Sequence, residues 1–582
     1  MVVKEEERLS VERLQTEYAG KVRTPLRTVE EVLERIGNGP GEVWITVASA
    51  ERLRRRASEL EFVESATLPL FGIPFAVKDN IDVAGLPTTA GCPAFSYVPG
   101  RSSRVVEVLE ASGAICVGKT NMDQFATGLV GTRTPYGACG SVFDREYISG
   151  GSSSGSAVAV ASGMVSFSLG TDTAGSGRVP AAFNGIVGLK PSRGLLSTRG
   201  VVPACRSLDC VSIFAGSIAE AECVLETAGV EDPEDPFSRA RMPGSGCKEM
   251  PVVGVPREDQ LEFFGDALAE GMFSRALAHA EELGWIIERF DYQPFAECAK
   301  LLYGGPWVAE RFAAVGAFIK ANVGACDPTV AEIIMKGESI AATELFEGIY
   351  RLHELKHLAG EEMAGIDFLM LPSAPSMYRI DEVLADPIRL NSRLGTYTNF
   401  VNLLDLSALA IPAGMREDGL PFGVTLVGGT FDDLALTEYG RRFVGEPGGR
   451  SGSADCWKVV VCGAHLSGQP LNYQLTDRGA TLVRECRTSA TYRLFALDTV
   501  PPKPGLIRDP DGSSIEVEIW EMPKEEAGGF IEQIPAPLCI GSVELEDGER
   551  VQGFLCEADA VKAGAREITE LGGWRAFVGD SG

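Results

Sequence analysis

"FSLGTDTAGSGRVPAAF", Phe167 to Phe183, is the stretch that sets the fold. An apolar strand runs through Leu169, a turn of Gly, Ser and Thr follows, and a helix starts near Pro180, because proline suits the first helical position. A strand that delivers a Gly-rich turn onto a helix is the unit of an α/β protein. Ser176 lies in that turn, and the main-chain N–H groups of Thr173, Ala174, Gly175 and Ser176 can converge on one point, as an oxyanion requires. A purely structural turn has the same composition.

Upstream, Gly151-Ser152-Ser153-Ser154-Gly155 satisfies G-x-S-x-G, the nucleophile elbow, which needs a buried strand before it and an acid and a histidine after it. The preceding "DREYISGG" is a poor strand. The four histidines are His279, His353, His357 and His465. The first three lie in amphipathic helical stretches, and none precedes residue 279. A serine nucleophile in this region needs another base, and Lys78 is the plausible one, since it ends the apolar run of "GIPFAVKDNIDVAG". An unperturbed lysine titrates near about 10.4, so desolvation must lower it by about three units, roughly 4 kcal/mol, to make a base at neutral pH. The alternative for Lys78 is a simple pairing with Asp79 or Asp82.

"GAICVGKT", Gly113 to Thr120, matches the phosphate-loop pattern G-x-x-x-x-G-K-[ST]. Its surroundings have the wrong order. "SSRVVEVLEAS" before it is helical, Gly113 reads as the helix cap, and "AICV" is an apolar buried strand where a flexible loop is required. "NMDQFATGL" beyond it could begin a helix. No second Mg²⁺-binding strand presents itself, so nucleotide binding is not expected.

The first 60 or so residues read as helical, led by "TPLRTVEEVLERIG". Strands and helices then alternate. Residues of about 255 to 365 read as mostly helical, with "ALAEGMFSRALAHAEELG" and "AATELFEGIYRLHELKHLAGEEM". Strands return at "IDFLMLPSAP" and "LPFGVTLVG". At "GEPGGRSGSADCW" the composition becomes that of a flexible linker. This gives a first domain over 1–446, with a helical segment over about 1–60 and a core over about 70–428, a linker over 447–457 and a C-terminal domain over 458–582. The last opens with "WKVVVCGAHL" and reads as β-rich with one late helix.

The composition narrows the function classes. A formal net charge of −28 with 45% apolar residues describes a packed protein and argues against nucleic acid or an anionic membrane as partner. No signal-like or membrane-spanning run is present in the sequence, which points to the cytoplasm. The 14 cysteines include no C-x-x-C pair and mostly sit in apolar runs, as reduced buried thiols do.

"GIPFAVKDN", "GGSSSGSA", "GTDTAGSGRVPAAFNGIVGLKP" and "RSLDCVSIFAG" resemble, in order and spacing, the amidase signature family, over roughly Leu70 to Gly428. The family's fold is a central mixed β-sheet surrounded by helices. The resemblance implies a Ser-Ser-Lys triad of Ser176 as nucleophile, Ser152 on a cis peptide bond as bridge and Lys78 as base, with Ser154 standing where the family usually has Gly. Within the family, "NMDQFATGLVGTRTPYG" and "GAHLSGQPLN" resemble the allophanate-hydrolysing branch. That likeness implies Tyr303 and Arg311 as holders of a substrate carboxylate, with Met122, Gly128 and Arg178 also against the substrate. It implies no metal or organic cofactor, a homodimer, and a functional link to a urea carboxylase or a biuret hydrolase. It also implies a C-terminal domain like the γ-glutamyl cyclotransferase fold that assists decarboxylation, with His465 as candidate residue or else a satisfied structural histidine. The alternative activity is that of a general amidase or the glutaminase subunit of a transamidating complex.

Overall fold

A computed structural model describes residues 8–63, 65, 68–242, 244–446, 456–497, 499, 502–546, 548–557 and 564–579. The chain divides into two compact units, Met1–Gly449 and Arg450–Gly582. Most of the expected linker, residues 447–455, lies outside the described residues.

The first unit is built on an 11-stranded sheet. Its strands are β1 (Trp44–Val47), β2 (Pro74–Lys78), β3 (Ile115–Thr120), β4 (Phe167–Asp172), β5 (Val187–Lys190), β6 (Cys210–Ala215), β7 (Val252–Pro256), β8 (Ile286–Phe290), β9 (Phe368–Pro372), β10 (Ser407–Met415) and β11 (Pro421–Gly428). They lie in the order β1-β3-β2-β4-β6-β5-β10-β11-β9-β7-β8. The sheet is mixed: β2 runs parallel to β3 and β4, whereas β4 and β6 are antiparallel. β2, β3, β4 and β6 are buried along their whole length, including the polar ends of β2, β3 and β4 at Lys78, Lys119–Thr120 and Thr171–Asp172. The helix Ser154–Ala161 is buried at every residue, which its all-small, uncharged sequence permits.

The expected N-terminal helix forms at Pro25–Asn38, with Pro25 in its first turn and the Thr24 side chain accepting from the Arg27 N–H. The first 60 residues are not wholly helical, because β1 pairs antiparallel with β3 across the sheet edge. A four-residue strand is too short to show its periodicity in sequence. "GAICVGKT" is resolved as expected from its surroundings: the helix Arg104–Ala111 ends before Gly113, whose φ of +95° turns the chain into β3. Lys119 is fully buried there, paired with Asp79 at 3.1 Å and donating to Thr88 Oγ1 at 2.9 Å.

"NMDQFATGL" does not begin a regular helix. It forms one short turn, Gln124–Ala126, with Phe125 at φ +50° and Ala126 at φ +51°. The cause is Asp123, whose buried carboxylate accepts from the N–H groups of Val130 (3.2 Å), Gly131 (3.0 Å) and Arg133 (2.9 Å) and so curls the loop around itself.

The second unit has a five-stranded sheet in the order Thr481–Arg487, Glu516–Pro523, Cys456–Val461, Arg550–Cys556, Leu538–Glu544, and a three-stranded sheet. It carries Tyr473–Thr476 and Lys524–Ile531 as helices besides the late one at Trp574–Gly579, more than the sequence suggests. Among the described residues no helix is long and apolar enough to cross a membrane.

Candidate active site

Two neighbouring strand ends and one loop build the site. β2 ends on Lys78, β4 ends on Asp172 and feeds the turn 173–177, and the loop holding Ser152 precedes the buried helix Ser154–Ala161. Lys78 Nζ lies 2.8 Å from Ser152 Oγ, and Ser152 Oγ lies 2.9 Å from Ser176 Oγ. The Gly151–Ser152 peptide bond is cis. Ser176 Oγ also reaches the Gly128 carbonyl oxygen at 3.5 Å, which puts Gly128 beside Ser176. Lys78 does not pair with Asp79 or Asp82. Asp79 serves Lys119, and Asp82 accepts from Thr88 and Tyr97.

Burial strips Lys78 of water and lowers its pKa to about 7, although Asp123, Asp172 and Asp209 each act to raise it. Its other partners are Thr171 Oγ1 at 2.8 Å and the Thr171 carbonyl oxygen at 3.5 Å. A neutral amine has two N–H bonds and one lone pair. With both N–H groups given to Thr171, the lone pair faces Ser152.

Asp172 fixes the turn. Its carboxylate accepts from the N–H groups of Gly175 and Gly177, each at 2.9 Å, and from Arg178 Nε and Nη2, each at 2.9 Å. Burial alone would raise the Asp172 pKa, but the Arg178 guanidinium outweighs it and holds the carboxyl below its ordinary value. Two expectations are corrected here. Gly175 does not offer its N–H to an oxyanion, because that group is bonded to Asp172; Thr173, Ala174 and Ser176 remain as candidate donors. Arg178 does not turn its Nε–Nη2 edge toward a substrate, because Asp172 takes that edge bidentately and Thr398 O accepts from Nη2 at 3.1 Å; only its buried Nη1 has no hydrogen-bond partner among the described residues. Gly175 has φ +126°, and a Cβ there would lie 2.5 Å from Thr398 Oγ1, so the turn needs glycine.

Arg311, on the helix Trp307–Ala321, is 1% exposed. It donates to Thr127 Oγ1 at 3.1 Å and to Tyr303 Oη at 3.2 Å, and its guanidinium sits 4.9 Å from the Tyr303 ring centre. Among the described residues no carboxylate forms an ion pair with it, and its buried Nε has no hydrogen-bond partner. A buried guanidinium with an unpartnered N–H is chemically suited to an anion. Met122 is fully buried and packs with Ala126 and Ala204 as an apolar wall.

The elbow serine, Ser153, is instead locked to Thr171, donating to its carbonyl oxygen at 3.2 Å. His279 contacts Phe443 O, and His353 and His357 lie on the helix Ala342–Glu362. In the second unit, His465 bonds Gln474 Oε1 at 2.9 Å and stacks on Phe554, and burial pushes its pKa down. In the first unit, burial pushes the Cys139 and Cys205 thiols up to about 12, which leaves them protonated. Among the described residues no group of three His, Cys, Asp or Glu is placed to hold a metal ion.

Sequence reasoning misses Thr171, Asp172, Asp123 and Asp209. Thr171 and Asp172 stand inside the quoted motif, so a search for partners of a buried lysine could have found them.

Residues 27–437 match the family profile described as Amidase. The chain belongs to the amidase family. Beyond the amidase region, residues 457–579 match the profile described as allophanate hydrolase C-terminal domain. The chain is 44% identical to urea amidolyase of Saccharomyces cerevisiae over 95% of its length, and it spans 32% of that protein. The solved structure of Kluyveromyces lactis allophanate hydrolase is 41% identical, with a TM-score of 0.80, covering 98% of this chain and 99% of that one. A glutamyl-tRNA(Gln) amidotransferase chain of Symbiobacterium thermophilum is more distant, at 33% identity over 74% of this chain and 95% of that protein. As an amidase with this second domain, the chain resembles an allophanate hydrolase over 98% of its length and a transamidase subunit over 74%.

Proposed function

We propose that this amidase hydrolyses allophanate through a Ser176 acyl-enzyme. The observation that carries the proposal is the Lys78–Ser152–Ser176 relay, with a buried Arg311 that forms no ion pair among the described residues available to the same substrate. Neutral Lys78 takes a proton from Ser152 as Ser152 takes one from Ser176, and Ser176 Oγ attacks the terminal carbonyl carbon of the ureido group. The N–H groups of Thr173, Ala174 and Ser176 are the donors for the oxyanion. Collapse returns the proton through the relay to the leaving nitrogen, ammonia departs, and water attacks the acyl-enzyme by the same route. The product, N-carboxycarbamate, decays to carbon dioxide and ammonia.

Arg311 and Tyr303 hold the substrate carboxylate, with Met122 and Gly128 lining the site. The amidase domain is taken as 1–446 and the C-terminal domain as 458–582. Neutral His465 is the candidate for assisting decarboxylation there. The chain acts in the cytoplasm as a homodimer, supplied with allophanate by a urea carboxylase or a biuret hydrolase. Ammonia release from allophanate, malonamate, glutamine and simple amides tests the assignment. Preference for the first two is expected, and indifference to the carboxylate would refute it.

A further inference from the structure

The two halves of this site, the turn bearing Ser176 and the helix bearing Arg311, are far apart in sequence; they meet at Thr127 and Gly128, which bond Arg311 and Ser176 in turn, and behind that contact a short segment, residues 204–209, joins the turn to the helix itself. At one end, Asp209 accepts a hydrogen bond from Thr173 Oγ1 of the turn. The same carboxylate ties the segment to itself through the N–H groups of Ala204 at 2.8 Å and Cys205 at 3.2 Å. At the other end, the segment docks on the first turn of the Arg311 helix. Ser207 donates to Glu310 twice, from its N–H at 2.7 Å and its Oγ at 2.8 Å, and Cys205 Sγ donates to Trp307 O at 3.6 Å. Ala174, Cys205, Leu208 and Trp307 share one buried apolar cluster, so turn, segment and helix also pack as a unit. Arg206 is the exposed residue of the segment, and with Asp209 it lines a cavity of about 270 Å³. The segment's position is set by its bonds to Thr173 and Glu310 together with that apolar packing.

We infer that the segment 204–209 is the ruler of the site, and that Glu310 is a positioning residue which fixes how far the Arg311 guanidinium stands from the Ser176 turn. The inference rests on the carboxylate-binding role proposed for Arg311. With allophanate as the substrate of that reading, the spacing to be held is a single atom between the carboxylate and the scissile carbonyl. A guanidinium held at one distance accepts that spacing and rejects one methylene more, whereas one free to drift accepts both. Glu310 does not touch the substrate; it acts through the helix that carries Arg311.

Malonamate, with a one-carbon spacer, and succinamate, with two, measure the ruler, and propionamide supplies a neutral reference. In the full chain, kcat/KM for malonamate is expected to exceed that for succinamate. Glu310→Ala is expected to lower this ratio about tenfold, through a raised KM for malonamate, since a misplacement of about 1 Å at a site can cost about 10²-fold. Glu310→Gln keeps an acceptor for Ser207 and is expected to restore most of the ratio, and Ser207→Ala is expected to fall between. A ratio unchanged in all three variants, or rates on both acids that fall in parallel, would overturn the ruler. If the unmodified chain cleaves propionamide as well as malonamate, the role of Arg311 falls first and the ruler with it.

Discussion

Lys78 carries the most consequential charge in the molecule. Its pKa near 7 follows from burial, against three carboxylates that favour its charged form. The basic form is neutral, so kcat/KM should rise with pH through about 7 and level off above it, with about one-tenth of the plateau at pH 6. A pH–rate profile of ammonia release checks this, and a flat profile between pH 6 and 8 would exclude Lys78 as base. At Arg311 the loss is of binding more than chemistry. Arg311→Ala should raise KM for allophanate about 10- to 100-fold, the worth of a charge-assisted hydrogen bond or two, with a smaller change in kcat. Steady-state kinetics decide it, and an unchanged KM would remove Arg311 from the site.

At the scale of elements, the site depends on the joint between β4 and the helix after it. Asp172 holds two N–H groups and the Arg178 fork there, all of them buried. Asp172→Asn leaves a buried guanidinium uncompensated and should cost about 3–5 kcal/mol of stability, seen as a lowered thermal midpoint, together with loss of activity. An unchanged midpoint would show that the ion pair is not what holds the turn.

The same joint shows what the sequence can disclose. The strand, the turn and Pro180 are local features, so Ser176 is legible without any partner, and the absence of histidine leads to Lys78. Ser152 has no local signal and is legible only through family resemblance. The Asp172–Arg178 pairing is hidden because Arg178 looks like a free cation, and the engagement of the Gly175 N–H depends on a turn geometry that composition does not specify. Asp123 and Asp209 are in plain view, but their roles arise from main-chain N–H groups brought to them only by folding. Arg311 meets Thr127 from 184 residues away, a contact no pattern of spacing reveals.

As a whole, the molecule couples an amidase unit to a smaller β-rich unit, and it spans about a third of the urea amidolyase it matches. If the second unit handles the first unit's product, the two steps should separate by mutation. His465→Ala is expected to leave the initial release of the first ammonia unchanged and to slow carbon dioxide release; following both gases in one reaction tests this, and parallel curves for the variant and the unmodified chain would exclude His465. Light scattering should give the mass of two chains.

The most direct test of the central claim is ammonia release from allophanate by the full chain and by Ser176→Ala, measured side by side. The unmodified chain should release ammonia steadily, and Ser176→Ala should be slower by about 10³-fold or more, because relay and oxyanion donors cannot act without the nucleophile. No release by the unmodified chain, or comparable release by Ser176→Ala, would contradict it.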